Sequence, residues 1–148
     1  MTRRLQLAVA TAAVAAFAGA AAGQAATGQQ VFAGTLEEQH DATVRMKTGA
    51  TDEFHVKVFT VHDFRVDCGD GDGIAERGTL KGRIPIGDRG RFHARNKDNK
   101  SVINVRGKID GRKAEGVFRF SGELKDRDGT TQDCESGQLH WTARAAAS

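Results

Sequence analysis

The sequence has no tyrosine, one proline, one tryptophan, two cysteines and two methionines. A single proline excludes a proline-rich linker or fibre, since both need the ring at high frequency to keep the backbone extended. Two cysteines exclude a cysteine-dense scaffold and a tetracysteine zinc centre, which need at least four. Aromatic residues are 6% of the chain, too few for the successive stacking platforms that hold unpaired bases. Charge of one sign is also scarce: 22 basic residues stand against 19 acidic ones, a net +3. The 148 residues suffice for one domain, which excludes a multidomain enzyme.

What is plentiful is glycine, with 18 residues. Glycine between short apolar runs favours strands and turns, because each one costs a helix about 1 kcal/mol relative to alanine. The chain nevertheless opens on an apolar stretch. Arg3 and Arg4 precede Leu5 to Ala22, rich in alanine and valine, and Gly23-Gln24-Ala25 follows. A charged start, an apolar middle and small residues at the end are the pattern of a cleaved signal peptide over residues 1–25. The alternative, a retained membrane anchor, is disfavoured by Gln6, Thr11 and the lack of a basic stop-transfer flank. Residues 26–30 are expected to be a short flexible segment, 31–144 the folded domain and 145–148 a disordered tail. No membrane span is expected after cleavage, and the expected location is secreted, periplasmic or at the cell envelope.

In such an oxidising compartment Cys68 and Cys134 are expected to form one disulfide. Their separation of 66 residues gives a stabilisation of about 4 kcal/mol in the chain-entropy picture. The acidic neighbours Asp67, Asp70, Asp133 and Glu135 argue against a reactive thiol pair, because they disfavour the thiolate.

Period-two alternation marks the strands. Leu80, Gly82, Ile84 and Ile86 share one face opposite Lys81, Arg83 and Pro85, and the proline points to a sheet edge. Phe92 and Ala94 alternate with Arg91, His93 and Arg95. Ile103, Val105, Gly107 and Ile109 alternate with Asn104, Arg106, Lys108 and Asp110, and Ala114, Gly116, Phe118 and Phe120 with Glu115, Val117 and Arg119. Short turns link these runs into an antiparallel meander. Val31–Leu36 and 42–47 read as a first hairpin. Phe54, Val56 and Val58 share a face, as do Phe64, Val66 and Cys68, but nothing near Phe59-Thr60 marks a turn, so one bent strand and two strands both fit. Leu139, Trp141 and Ala143 have opposite parity to Cys134, and a one-residue bulge near Ser136-Gly137 would bring all of them to the core side. The expected fold is all-β: a single antiparallel β-sandwich, Ig-like or jelly-roll-like.

The order Phe54-x-Val56, Cys68, Ile84-Pro85-Ile86, Gly90-Arg91-Phe92, Gly107, Ala114-x-Gly116, Cys134-Glu135-Ser136-Gly137 and Trp141-x-Ala143 resembles a group of secreted bacterial two-cysteine β-sandwich domains of unknown function. The resemblance covers about residues 31–143. It implies the fold, the disulfide and the compartment, and brings no catalytic or binding residues.

Three sites suggest themselves. Asp67, Asp70 and Asp72 lie in a Gly/Asp loop around Cys68, and the disulfide would carry Asp133 and Glu135 alongside, so calcium is a candidate ligand there. The loop fails the EF-hand template, and a solvated turn is the plainer reading. Catalysis finds no motif: Ser101, Ser121, Ser136 and Ser148 lie outside any GxSxG, and the histidines lack paired ligand spacing. The charge distribution says more. Residues 79–125 hold 13 basic and 5 acidic residues, net +8, while the rest of the chain after residue 25 is net −7. Lys81, Arg83, Arg91, Arg95, Arg106, Lys108 and Arg119 all have outward parity, a basic face for an anionic polysaccharide or cell-wall polymer. Lysine and arginine that merely deter edge pairing are the plainer reading here too. The expected function is therefore a non-catalytic, monomeric binding module with no cofactor and no specific nucleic-acid partner. A calcium-stabilised module and a small hydrolase without a recognisable motif are the alternatives.

Overall fold

The computed structural model describes residues 29–50, 53–125 and 128–146; the leader expected at 1–25 lies outside them. The alternating segments form eight strands: β1 Val31–Leu36, β2 Thr43–Gly49, β3 His55–Cys68, β4 Gly71–Pro85, β5 Arg91–Lys97, β6 Ser101–Asp110, β7 Lys113–Lys125 and β8 Thr131–Ala145. Hydrogen bonding joins all eight into one antiparallel sheet in the order β4-β3-β2-β1-β8-β7-β6-β5. Two separately bonded sheets, as the sandwich expectation has them, are not formed. Each strand pairs with the next along the chain and β1 pairs with β8, so the circuit of pairings is complete except between β4 and β5. Pro85, at the end of β4, accordingly lies on a sheet margin.

This sheet is strongly coiled. At the level of Phe59, β3 and β7 lie four places apart, roughly 19 Å across a flat sheet at the usual strand spacing. The rings of Phe59 and Phe118 are nonetheless 6.2 Å apart, and Phe59 lies 5.0 Å from Trp141. The inner face therefore closes on itself as in a barrel, and aromatic rings fill it: Phe32, Phe59, Phe64, Phe118 and Trp141 are all but fully buried. Each such side chain contributes about 1.5–3 kcal/mol by leaving water. Glycine makes room for the largest. A Cβ on Gly107 would sit 2.6 Å from both the Trp141 and the Phe92 ring, and one on Gly116 only 1.9 Å from the Arg106 carbonyl oxygen. The Trp141 Nε1 finds no hydrogen-bond partner among the described residues.

Local irregularities set the phase of the long strands. β3 is one strand, not two. Its register against both neighbours shifts near Val56 to Val58, and Phe59 rather than Val58 then turns into the core. A second reversal falls at Asp63, whose φ is +57°, a conformation that aspartate tolerates better than most residues. In β8 the expected bulge is present: Phe120 pairs with Gly137 and Ser121 with Glu135, which leaves Ser136 unpaired. Ser136 Oγ accepts from Phe120 N at 2.9 Å and donates to Gly137 O at 2.8 Å. Cys134, Leu139 and Trp141 consequently share the core.

Below the short β1–β2 hairpin, β3 runs on to pair directly with β8 through Asp67–Glu135 and Cys68–Cys134. Cys68 and Cys134 are disulfide-bonded across the two strands, their Cα atoms 4.1 Å apart. The expected acidic loop is in fact a tight hairpin, with Gly69 and Asp70 at its tip and Asp67 and Asp72 facing each other inside the strands. β8 extends one residue past the expected boundary at 144, and buried Ala145 donates its N–H to Arg112 O at 2.8 Å.

Candidate polyanion-binding face

Residues directly opposite on neighbouring strands project to the same side of a sheet. Across β5, β6 and β7 the register reads Arg91–Lys108–Glu115, His93–Arg106–Val117 and Arg95–Asn104–Arg119. The residues between them, Phe92, Ile103, Val105, Ile109, Ala114, Phe118 and Phe120, are buried. Five of the seven expected cations, Arg91, Arg95, Arg106, Lys108 and Arg119, thus share one outer wall and are exposed. Outward side chains recur about every 6.6–6.8 Å along a strand, so the wall carries charge at regular steps in two directions.

Lys81 and Arg83 do not belong to this hydrogen-bonded register, although their strand comes beside the wall at Pro85. Both are exposed on β4, the opposite margin in hydrogen-bonding order, on either side of Gly82, whose φ is +152°. Sequence parity could not show which strands are neighbours. The same blindness hid Lys113 and Arg144, which face each other on β7 and β8 and extend the wall, with Asp110 as an acid opposite Lys113. Their signal was the reversal at Asp110-Gly111, which returns the chain so that Lys113 follows the same outward parity.

Between Arg91, Lys108 and Arg106 the wall is hollowed into an open groove of about 690 Å³. The backbones of Gly107 and Gly116, paired across β6 and β7 at positions whose substituents turn inward, form its floor, with Val117, Pro85 and Phe92 as apolar lining and Gln138 and His93 on the rim. His93 Nε2 lies 2.9 Å from Asn104 Oδ1, which fixes the ring against the strand. Glu115 is the one acid of the groove and sits opposite Lys108. Trp141 is fully buried between Phe59 and Phe92 and offers no outward stacking surface.

The disulfide end has the opposite character. Asp72, Asp67 and Glu135 follow one another across β4, β3 and β8, and Asp133 stands opposite Glu123 on β7. Asp70 Oδ2 accepts from Gln132 Nε2 at 3.0 Å. These are the five residues proposed for calcium, yet no three metal-binding side chains converge among the described residues. A smaller hollow of about 300 Å³ opens here beside the disulfide, lined in part by Val66, Leu124 and Ile74, whose side chain is 69% exposed.

Two carboxylates elsewhere are tuned by local bonds. Burial works to raise the pKa of Glu38, but the backbone N–H and ring of His140 outweigh it and hold the carboxyl below its ordinary range. Glu38 Oε1 lies 2.6 Å from His140 N and 2.9 Å from its Nδ1. Asp98 is lowered by the backbone N–H groups of Lys100 and Ser101, with the Ser101 hydroxyl adding to them. It closes the β5–β6 turn, and the Ser101 hydroxyl also donates to it. The histidines are dispersed: His55 is buried with Nδ1 2.8 Å from Glu53 O, while His93 and His140 are on the outer surface.

No protein-family model, curated protein or solved structure matches this chain. The likeness to the secreted two-cysteine domains therefore rests on the order of its residues alone.

Proposed function

We propose that the protein is a non-catalytic binding module, exported into an oxidising compartment, whose outer β5–β7 wall holds an anionic polymer. The supporting observation is the strand register that places Arg91, Arg95, Arg106, Lys108 and Arg119 side by side with Glu115 as the one acid among them. Arginine suits this work because its planar guanidinium offers paired donors to carboxylate, sulfate or phosphate and stays charged at every physiological pH. A wall of fixed cations raises the local concentration of polyanion and speeds encounter, and both effects fade as salt screens them. The cross-strand disulfide suits an oxidising compartment, and no helix among the described residues is long and apolar enough to cross a membrane.

The test is retention on an immobilised anionic polymer across a salt gradient. The protein is expected to elute at raised salt, and the double variant Arg91→Glu/Arg106→Glu, at exposed positions, to elute near the void with an unchanged melting temperature. Equal retention of the two proteins would remove the wall from consideration.

A further inference from the structure

The groove within the basic wall carries more information than the charges around it. A ligand made of charged oxygens alone, such as a polyphosphate chain, uses cations and nothing else. Its every surface is hydrated, and pressing it onto an apolar floor costs desolvation without return. The floor between Arg91, Arg106 and Lys108 is of the other kind: the facing backbones of Gly107 and Gly116 with Val117 and Pro85 beside them. Such a surface suits the C–H face of a ring. Around it stand the donors and acceptors that hydroxyl groups use, the Gln138 amide and the His93 ring. Bases are poorly served, because no aromatic side chain is among the exposed large hydrophobics of the described residues.

We infer that the anionic polymer is a carboxylated polysaccharide, with one uronate ring seated on the Gly107–Gly116 floor, its carboxylate held by Arg91 or Arg106 and its hydroxyls by Gln138 and His93. This rests on the reading of the wall as a polyanion surface and narrows it to one ligand class. The groove, about 690 Å³, is shallow and open along the wall, so a ring lies across it while its neighbours continue over the surface. Two further cations, Arg95 and Arg119, lie one row further along the wall and take the next charges of the chain.

The inference separates from the parent reading through Val117→Lys. That change adds a cation to the wall and at the same time covers the apolar floor. Polygalacturonate and long-chain polyphosphate are the probes, titrated at equal anionic charge and equal ionic strength into the purified protein and the variant. The expected result is tighter binding of polygalacturonate than of polyphosphate by the natural protein. In Val117→Lys, polygalacturonate affinity falls at least five-fold while polyphosphate affinity rises. If polyphosphate binds as well as polygalacturonate and the variant tightens both, charge alone governs: the carbohydrate inference fails and the polyanion wall stands. If neither polymer binds the natural protein at low salt, both fail. Should Val117→Lys not fold, Gln138→Lys at the exposed rim replaces it with the same expectations, and the preference of the natural protein remains decisive by itself.

Discussion

The basic β5–β7 wall and the acidic disulfide end are built from the same ladder geometry, yet they solve opposite problems. On the wall, like charges sit on neighbouring strands held by long registers of ten residue pairs between β6 and β7 and seven between β5 and β6, over a core of Phe92, Val105 and Phe118. At the other end β3 and β8 meet through two residue pairs only, of which one sets Asp67 against Glu135 and the other is the disulfide. Like charges directly opposite in a sheet are destabilising, by up to about 1 kcal/mol per pair. The wall tolerates its repulsion because the ladder beneath it is long. At the disulfide end the direct β3–β8 contact is short, and a covalent bond ties the two carboxylate-bearing strands together. The difference teaches where charge is affordable as a working surface and where it has to be restrained.

The comparison can be broken most forcefully at the covalent bond. Cys68→Ser/Cys134→Ser is expected to lose about 4 kcal/mol of stability, read from urea unfolding, with the earliest loss of hydrogen-exchange protection at β3–β8. In that background Glu135→Gln should return up to about 1 kcal/mol by removing the repulsion from Asp67. No return would mean that the facing acids are not what the disulfide restrains.

Next in size is the packing beneath the wall. Gly107→Ala is expected to cost about 1–3 kcal/mol, because the new methyl group would press on the Phe92 and Trp141 rings. Thermal melts followed by fluorescence of the sole tryptophan report it directly. A smaller expected effect concerns ligand rather than fold. Glu115→Gln removes the one acid of the groove and should raise the affinity for anionic polymer two- to three-fold, about 0.5 kcal/mol at exposed-charge strength, with an unchanged melt. Weaker binding would show that Glu115 contacts the ligand instead of opposing it.

The smallest concerns pH. The Glu38 carboxyl is depressed on folding, so its contribution is present above the ordinary carboxylate pKa and lost as pH falls through its lower folded value. The Glu38 side chain is 38% exposed, and solvent screening limits the gain to a few tenths of a kcal/mol. Comparison of the natural protein with Glu38→Gln should therefore show a stability gap at neutral pH that closes in acid. A gap independent of pH would exclude the ionised Glu38–His140 contact as its source.

How much of this was legible in the sequence follows from whether the information is local. Alternation from Arg91 to Phe120 is local, and it identified three strands and five cations of the wall. The parity conflict between Cys134 and Trp141 is also local, and it located the bulge at Ser136-Gly137. The phase change that puts Phe59 inside depends on how β3 meets β2 and β4, and no residue near Phe59-Thr60 advertises it. The pairing of β1 with β8 is likewise a long-range choice, and alternation alone does not say whether the strands join into one sheet or two. Lys81 and Arg83 show the same limit: parity tells which side of a strand a residue takes, not which strands are bonded beside it. The groove depends on how the outward side chains of β5, β6 and β7 line up across the register, which alternation within one strand does not reveal.

The most direct test of the account is an amide NMR titration of the isotopically labelled protein with polygalacturonate at low salt. The account predicts shift changes concentrated on Arg91 to Arg95, Arg106 to Lys108 and Glu115 to Arg119, with the β3–β4 hairpin and the disulfide strands unmoved. Changes centred on Asp67, Asp70 and Cys134, or no saturable change anywhere, would contradict it.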